Sequence, residues 1–161
     1  MTVRVEFINP FVTAAADVLR AEVGLEVSRG GLTLAQSAAT AGDVTTLINL
    51  IGDVEGVVLY SMPLEMCLAL VSQMIGQDFE EFDELAQSGI AELGNVITGK
   101  AAAGLSQAGY EASISVPTLV IGRGATISTL DFRRLVVPLQ TNYGVLEIHV
   151  ALREHQDGHG Q

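Results

Sequence analysis

The stretch "ELGNVITGKAAAG", Glu92 to Gly104, holds Gly94, four residues, Gly99 and then Lys100, a phosphate-binding P-loop signature up to its last position, where Ala101 replaces Ser or Thr. A P-loop is a glycine-rich turn that leaves a strand, with backbone N–H groups aimed at phosphate and a helix that begins only at the Lys and the hydroxyl residue. Upstream of Gly94 stands "FDELAQSGIAEL", whose apolar residues recur at helical spacing and which has no strand character. Ala101 also lacks the hydroxyl that would hold Mg²⁺, and no apolar strand ending in Asp supplies a second nucleotide motif. The stretch is therefore expected to be the interior of one long helix, roughly Glu81 to Ala108, closed by Gly109.

Glycines at 89, 94, 99 and 104 recur every five residues through this helix, and each costs about 1 kcal/mol relative to Ala. The wheel puts Gly94 and Gly104 on the apolar side, where close helix-to-sheet contact accounts for them, and Gly99 on the other. Counting from Leu85 at about 100° per residue, Ile90, Leu93, Val96, Ile97 and Ala101 fall at about 20° to 160°, the expected buried face. Ser88, Glu92, Asn95 and Gly99 gather on the opposite side as one polar stripe. A solvated face is the plain account of such a stripe. Asn, however, is a poor helix former, and Gly99 with Ala102 leaves the surface flat, which suits contact with another protein.

Around this helix the chain reads as one domain over residues 1–152 with a polar tail, 153–161, expected to be disordered. Phe11 to Val23 reads as a helix ended by Gly24. "LEV", "GLTLAQSA", "TTLINLIGD" and "EGVVLYSM" read as strands, the last two joined as a hairpin at "GDVEG". A further helix starts near Pro63, placed in its first turn, and stops at Gly76. After the long helix come "EASISVPTLVIGRG", "FRRLVVPLQT" and "YGVLEIHVAL", the last two joined by "TNYG". Strands cluster rather than alternating singly with helices, so the fold class is α+β: a mainly antiparallel sheet packed with two long helices and a shorter one. Helix, Gly, Leu-Glu-Val near residue 24 echoes helix, Gly, Tyr-Glu-Ala near residue 109, which leaves an internal duplication open.

Charge narrows the partners. The net charge is −11, from 19 acids against 8 bases, so a phosphate-neutralising face for nucleic acid is not available. No run of about 18 uncharged apolar residues could span a membrane. The N-terminus shows no basic region followed by a long apolar stretch, and the lone Cys67 suits a reducing compartment, so the cytoplasm is the expected location. Cys67 reads as a small core residue and His149 as structural; His155, Asp157 and His159 in the tail are not assigned a metal.

"SGIAELGNVITGKAAAGLSQAGYEASISVPTLVIG", with "INPF" near the start, resembles the CheX/CheC/FliY family of bacterial chemotaxis phosphatases. That family's signature is Asp or Ser, three residues, Glu, two residues, Asn, and a Pro some twenty residues on; Ser88, Glu92, Asn95 and Pro117 fit it. Element order is similar over residues 1–152. A second Glu-x-x-Asn, Glu6 to Asn9, stands before Pro10, outside any expected helix, and reads as accidental. The first helix thus carries no such pair, which matches the CheX form with one active helix and not the CheC form with two.

The resemblance implies a phosphatase acting on the aspartyl-phosphate of a CheY-type receiver domain. Glu92 and Asn95 would be its catalytic residues, Glu92 engaging the receiver's Lys and Asn95 orienting the attacking water. Ser88 and Gly99 would contact the partner, and Pro117 would shape a strand edge. No cofactor of its own is implied, since the receiver supplies Mg²⁺. A homodimer is implied too, for which "GVLEIHVAL" could offer an edge. The alternative is a non-catalytic interaction module of a chemotaxis or flagellar-switch assembly.

Overall fold

A computed structural model describes residues 4–36, 42–122 and 133–155. The expected tail 153–161 begins too early: Arg153 and Glu154 still belong to the last strand and His155 N–H bonds the Asp53 carbonyl at 2.8 Å, while the remainder, with Asp157 and His159, lies outside the described residues. A short 3₁₀ helix, Val5–Phe7, leads into α1, Asn9–Val23. α1 opens earlier than expected because Pro10 sits in its first turn, where a missing N–H costs nothing. Its end is the expected Gly24, at φ 67°. "LEV" is not a strand: Gly24 N–H bonds the Arg20 carbonyl in an αL cap, and the Leu25 N–H turns back to the Leu19 carbonyl, which keeps Leu25 within the helix cap.

The strands are β1 (Ser28–Arg29), β2 (Thr33–Ala35), β3 (Val44–Gly52) and β4 (Val54–Met62), then β5 (Ala112–Ile114), β6 (Thr118–Ile121), β7 (Arg134–Thr141) and β8 (Gly144–Glu154). Both expected hairpins form, β3 with β4 and β7 with β8. Helix α2, Leu64–Ile75, follows Pro63, which stands just before the first turn and not inside it; the Asp43 carboxylate accepts from Leu64 N–H at 2.8 Å and caps the helix instead. Helix α3, Glu84–Gln107, starts later than expected because Asp83 caps it, accepting from Ala86 N–H at 2.9 Å, which leaves the acidic residues before it outside.

Every pairing in the sheet is antiparallel, and the strand order is β1, β7, β8, β4, β3, β5, with β2 also on β7 and β6 also on β3. Exchange the two halves of the chain and this order reads the same backwards. Burial repeats as well: Phe7, Ile8, Phe11, Ala15 and Leu19 of the first half are matched in spacing by Leu93, Gly94, Ile97, Ala101 and Leu105 of the second. The sequence echo is thus a real two-fold repeat of architecture, with β4 and β8 paired at its centre and α1 packed on α3.

β8 therefore cannot offer an edge, because β4 and β7 flank it. The edges are the short strands. Pro117 stands on one of them, between β5 and β6: Ile114 opposes Leu50 and Thr118 opposes Leu47, so three edge residues face two on β3. A proline with no N–H suits that bulge.

Candidate functional site

Helix α3 runs unbroken through Gly94, Gly99 and Lys100, so there is no phosphate loop, and Lys100 lies 3.8 Å from Asp17 on α1. Gly94 and Gly104 answer to packing. A Cβ on Gly94 would sit 2.9 Å from Thr46 Cγ2 on β3 and 3.5 Å from Tyr60 Cδ2 on β4, so glycine lets this turn lie against the sheet. Gly104 faces a helix and not the sheet: its nearest neighbour would be Pro10 of α1, at 3.4 Å. At Gly99 a Cβ would meet nothing within 4 Å.

The polar stripe is real and faces outward. Ser88, Glu92 and Gly99 are exposed and Asn95 is half-buried, while Ile90, Leu93, Ile97 and Ala101 are buried beneath them. Asn95 donates an amide hydrogen to the Glu92 carboxylate at 3.3 Å. One amide hydrogen and the amide oxygen of Asn95 remain for an outside molecule. The pair can thus present a carboxylate to a cation and, one turn on, a donor and an acceptor to a small polar group.

Val96 departs from expectation. It is 42 % exposed, and so is Leu85 at 49 %; both flank the stripe at its apolar margin. An apolar rim beside a carboxylate and an amide suits a protein partner better than a small ligand. The wheel carried the signal, since Val96 and Leu85 sit at the extreme of the apolar arc next to Glu92. Thr98, in contrast, is fully buried under the stripe, where periodicity alone had placed no polar residue.

The second Glu-x-x-Asn pair, expected outside any helix, instead straddles the start of α1. Asn9 is the first residue of α1 and Glu6 belongs to the 3₁₀ helix before it. Glu6 pairs with Arg4, and Asn9 Oδ1 accepts from Arg29 Nη1 at 3.2 Å.

Other titratable groups are structural. Cys67 is buried, and burial pushes its thiol up to about 12. His149, buried on β8, accepts at Nδ1 from Arg134 Nε at 2.9 Å, which leaves Nε2–H to meet Glu147 at 3.1 Å. That hydrogen bond holds the Glu147 carboxyl below its usual range. His155 contacts Glu55 at 2.9 Å. Among the described residues no group of three His, Cys, Asp or Glu could hold a metal ion, and no helix is long and apolar enough to cross a membrane.

The model of the family described as "Chemotaxis phosphatase CheX" matches residues 44–140. The chain is 32 % identical over 123 residues to the CheY-P phosphatase CheX of Thermotoga maritima, covering 76 % of this chain and 79 % of that one. A crystal structure of a chemotaxis protein CheX from Desulfovibrio desulfuricans superposes with a TM-score of 0.84 at 27 % identity, covering 92 % of this chain and 100 % of the other. The CheX of a Borrelia burgdorferi complex with CheY, BeF₃ and Mg²⁺ superposes at 0.78 with 27 % identity, covering 94 % and 100 %. Together with an α+β fold whose longest helix displays a Glu-x-x-Asn pair, these matches place the chain in the CheX family of chemotaxis phosphatases.

Proposed function

We propose that this phosphatase removes the phosphoryl group from the aspartyl-phosphate of a CheY-type receiver domain, and that the face of α3 does it. Glu92 engages the receiver's active-site Lys and fixes the docking register. Asn95 then enters the receiver's site, accepts a hydrogen bond from a water with its amide oxygen and donates to a phosphoryl oxygen. The water oxygen bonds to phosphorus as the bond from phosphorus to the aspartyl oxygen breaks, yielding inorganic phosphate and the free carboxylate. Because an acyl phosphate is already activated, positioning suffices and no nucleophile or general base is needed from this chain. The receiver's own Mg²⁺ stabilises the transferring charge, so the phosphatase brings no cofactor. Ser88, Val96 and Gly99 form the surrounding contact surface.

The observation that carries this reading is the Glu92–Asn95 pair, joined at 3.3 Å and presented outward on a helix whose other side is locked into the core. That a relative forms a complex with CheY in the presence of BeF₃, a phosphoryl mimic, supports the partner. The test mixes the protein with phosphorylated receivers from the same genome and follows phosphate release. Accelerated release from at least one receiver is expected; none from any of them would remove the activity.

A cytoplasmic homodimer is the expected setting. The edge formed by β5 and β6 exposes Val116, at 83 %, and Ile121, an apolar margin suited to pairing. Light scattering that gives a monomer mass across a wide concentration range would exclude the dimer.

A further inference from the structure

Directly under the catalytic turn of α3 the otherwise apolar core contains three polar side chains. Thr98 Oγ1 donates to the Gly94 carbonyl at 2.7 Å, which uses its only hydrogen. Tyr60 OH, 2.8 Å away, must therefore donate to Thr98. Burial raises the Tyr60 phenol well above its ordinary value, so this donor stays protonated at any working pH. Thr46, the cross-strand neighbour of Tyr60, is buried too, and its hydroxyl has no hydrogen-bond partner among the described residues. Its methyl group is what the missing Cβ of Gly94 would strike.

The internal two-fold supplies a control inside the same molecule. Tyr60 is the seventh residue of β4 and its cross-strand neighbour is Thr46; Val150 is the seventh residue of β8 and its neighbour is Leu135. In the helix register that pairs Phe11 with Ile97, the residue matching Thr98 is Val12. The set related to α1 by the two-fold thus has Val12, Leu135 and Val150, where the set around α3 has Thr98, Thr46 and Tyr60. Stability alone does not require the polar set, because replacing a buried hydrogen-bonded pair by apolar groups of the same shape can be nearly neutral and an orphan hydroxyl is unfavourable.

We propose that Tyr60 and Thr98 are positioning residues for Asn95: the bond from Tyr60 to Thr98, continued to the Gly94 carbonyl, sets the rotation and depth of the α3 turn that carries the amide. A hydrogen bond fixes a direction that apolar packing leaves soft. The peptide it grips, Gly94 to Asn95, is the one that aims the Asn95 side chain. An i−4 bond from a threonine hydroxyl also bends a helix locally, here at the turn where glycine lets the helix settle on the sheet. This inference rests on the reading of Asn95 as the group that orients water.

The test compares Tyr60→Phe, Thr98→Val, their double variant, Thr98→Ser and Asn95→Ala in one phosphate-release assay, with receiver affinity and melting temperature measured for each. The double variant should melt close to wild type and bind the phosphorylated receiver as well, yet turn over about tenfold more slowly, since small misplacements of a reacting group are costly. Thr98→Ser keeps the hydroxyl and should keep most of the rate. A double variant as fast as wild type beside a slow Asn95→Ala overturns the positioning role alone; a fast Asn95→Ala overturns the mechanism beneath it. Rate, affinity and melting temperature falling together would reduce the trio to ordinary core. If the double variant does not fold, Tyr60→Phe decides on the same readouts.

Discussion

Helices α1 and α3 hold equivalent places in the two halves of the fold, and each has a Glu-x-x-Asn pair at the same point of its burial pattern, but the pairs are in different states. Glu92, exposed, and Asn95, half-buried, lie inside a continuous 24-residue helix, bonded to each other. Glu6 and Asn9 straddle the joint between a three-residue 3₁₀ helix and α1, and an arginine occupies each of them. Residues three apart share a helix face only where the helix is continuous. Motif spacing is thus insufficient. What distinguishes Glu92 and Asn95 is a continuous helix on both sides of them and, among the described residues, no arginine bonded to either.

The largest expected effect of breaking this asymmetry comes from Asn95→Ala. Removing one oriented group from a preorganised site costs about 3 kcal/mol of transition-state stabilisation, or roughly a hundredfold in rate. Folding should not suffer, since Ala is the best helix former and stability should stay level or rise by up to about 0.7 kcal/mol. Affinity for a receiver carrying a stable phosphoryl mimic should persist, because the docking contact proposed for Glu92 is retained. Phosphate release as fast as wild type would move the chemistry off α3, whereas a variant that neither folds nor binds would contradict the exposure of this face.

Glu92→Lys should act next most strongly, and on the other parameter. It replaces attraction to a cationic receiver Lys with like-charge repulsion, worth about 2 kcal/mol or some thirtyfold in affinity. The melting temperature should be unchanged, because Glu92 is exposed and surface changes away from packing are small. Titration at subsaturating receiver is the measurement. An unaltered concentration dependence would mean that Glu92 does not set the register.

Most of the fold was legible in the sequence because its signals are local. Gly24 and Gly76 close α1 and α2 where expected, and the β3–β4 and β7–β8 hairpins follow from alternating runs separated by short turns. Boundaries failed where a side chain decided them, as with Asp83 capping α3 and Asp43, just before β3, capping α2. In the site, the helical wheel placed Ser88, Glu92, Asn95 and Gly99 on one face correctly. It buried Val96, because angular position alone cannot say how wide the packed face is. Tyr60, Thr98 and Thr46 were invisible for a related reason: what joins them is tertiary, and a tyrosine on an apolar strand gives no sign of its partner. By location Glu6 and Asn9 read as accidental, and only the two-fold of the folded chain shows that they are the counterpart of Glu92 and Asn95.

The smallest expected effect is also the strictest check on the asymmetry: Glu6→Ala with Asn9→Ala in one chain. A groove of about 560 Å³, lined in part by Glu6, Asn9, Lys100 and Gln107, opens beside this second pair, so access alone would not keep a partner away. Occupancy should. Glu6 is taken by Arg4, which also reaches Glu154 at 2.7 Å and lies over the Phe7 ring at 4.7 Å, so that arginine is held from several sides. Asn9 loses only one exposed hydrogen bond on truncation, worth about 0.5 kcal/mol of stability. Phosphate release should therefore stay within about twofold of wild type, the range of ordinary surface substitutions. The more stringent form adds the same two changes to Asn95→Ala and measures the residual rate that Asn95→Ala leaves. If that residue of activity is unchanged, all oriented catalysis belongs to α3. If it falls further, the pair at the head of α1 releases its arginines in the complex and handles a receiver too, and the two halves of the fold differ in degree and not in kind.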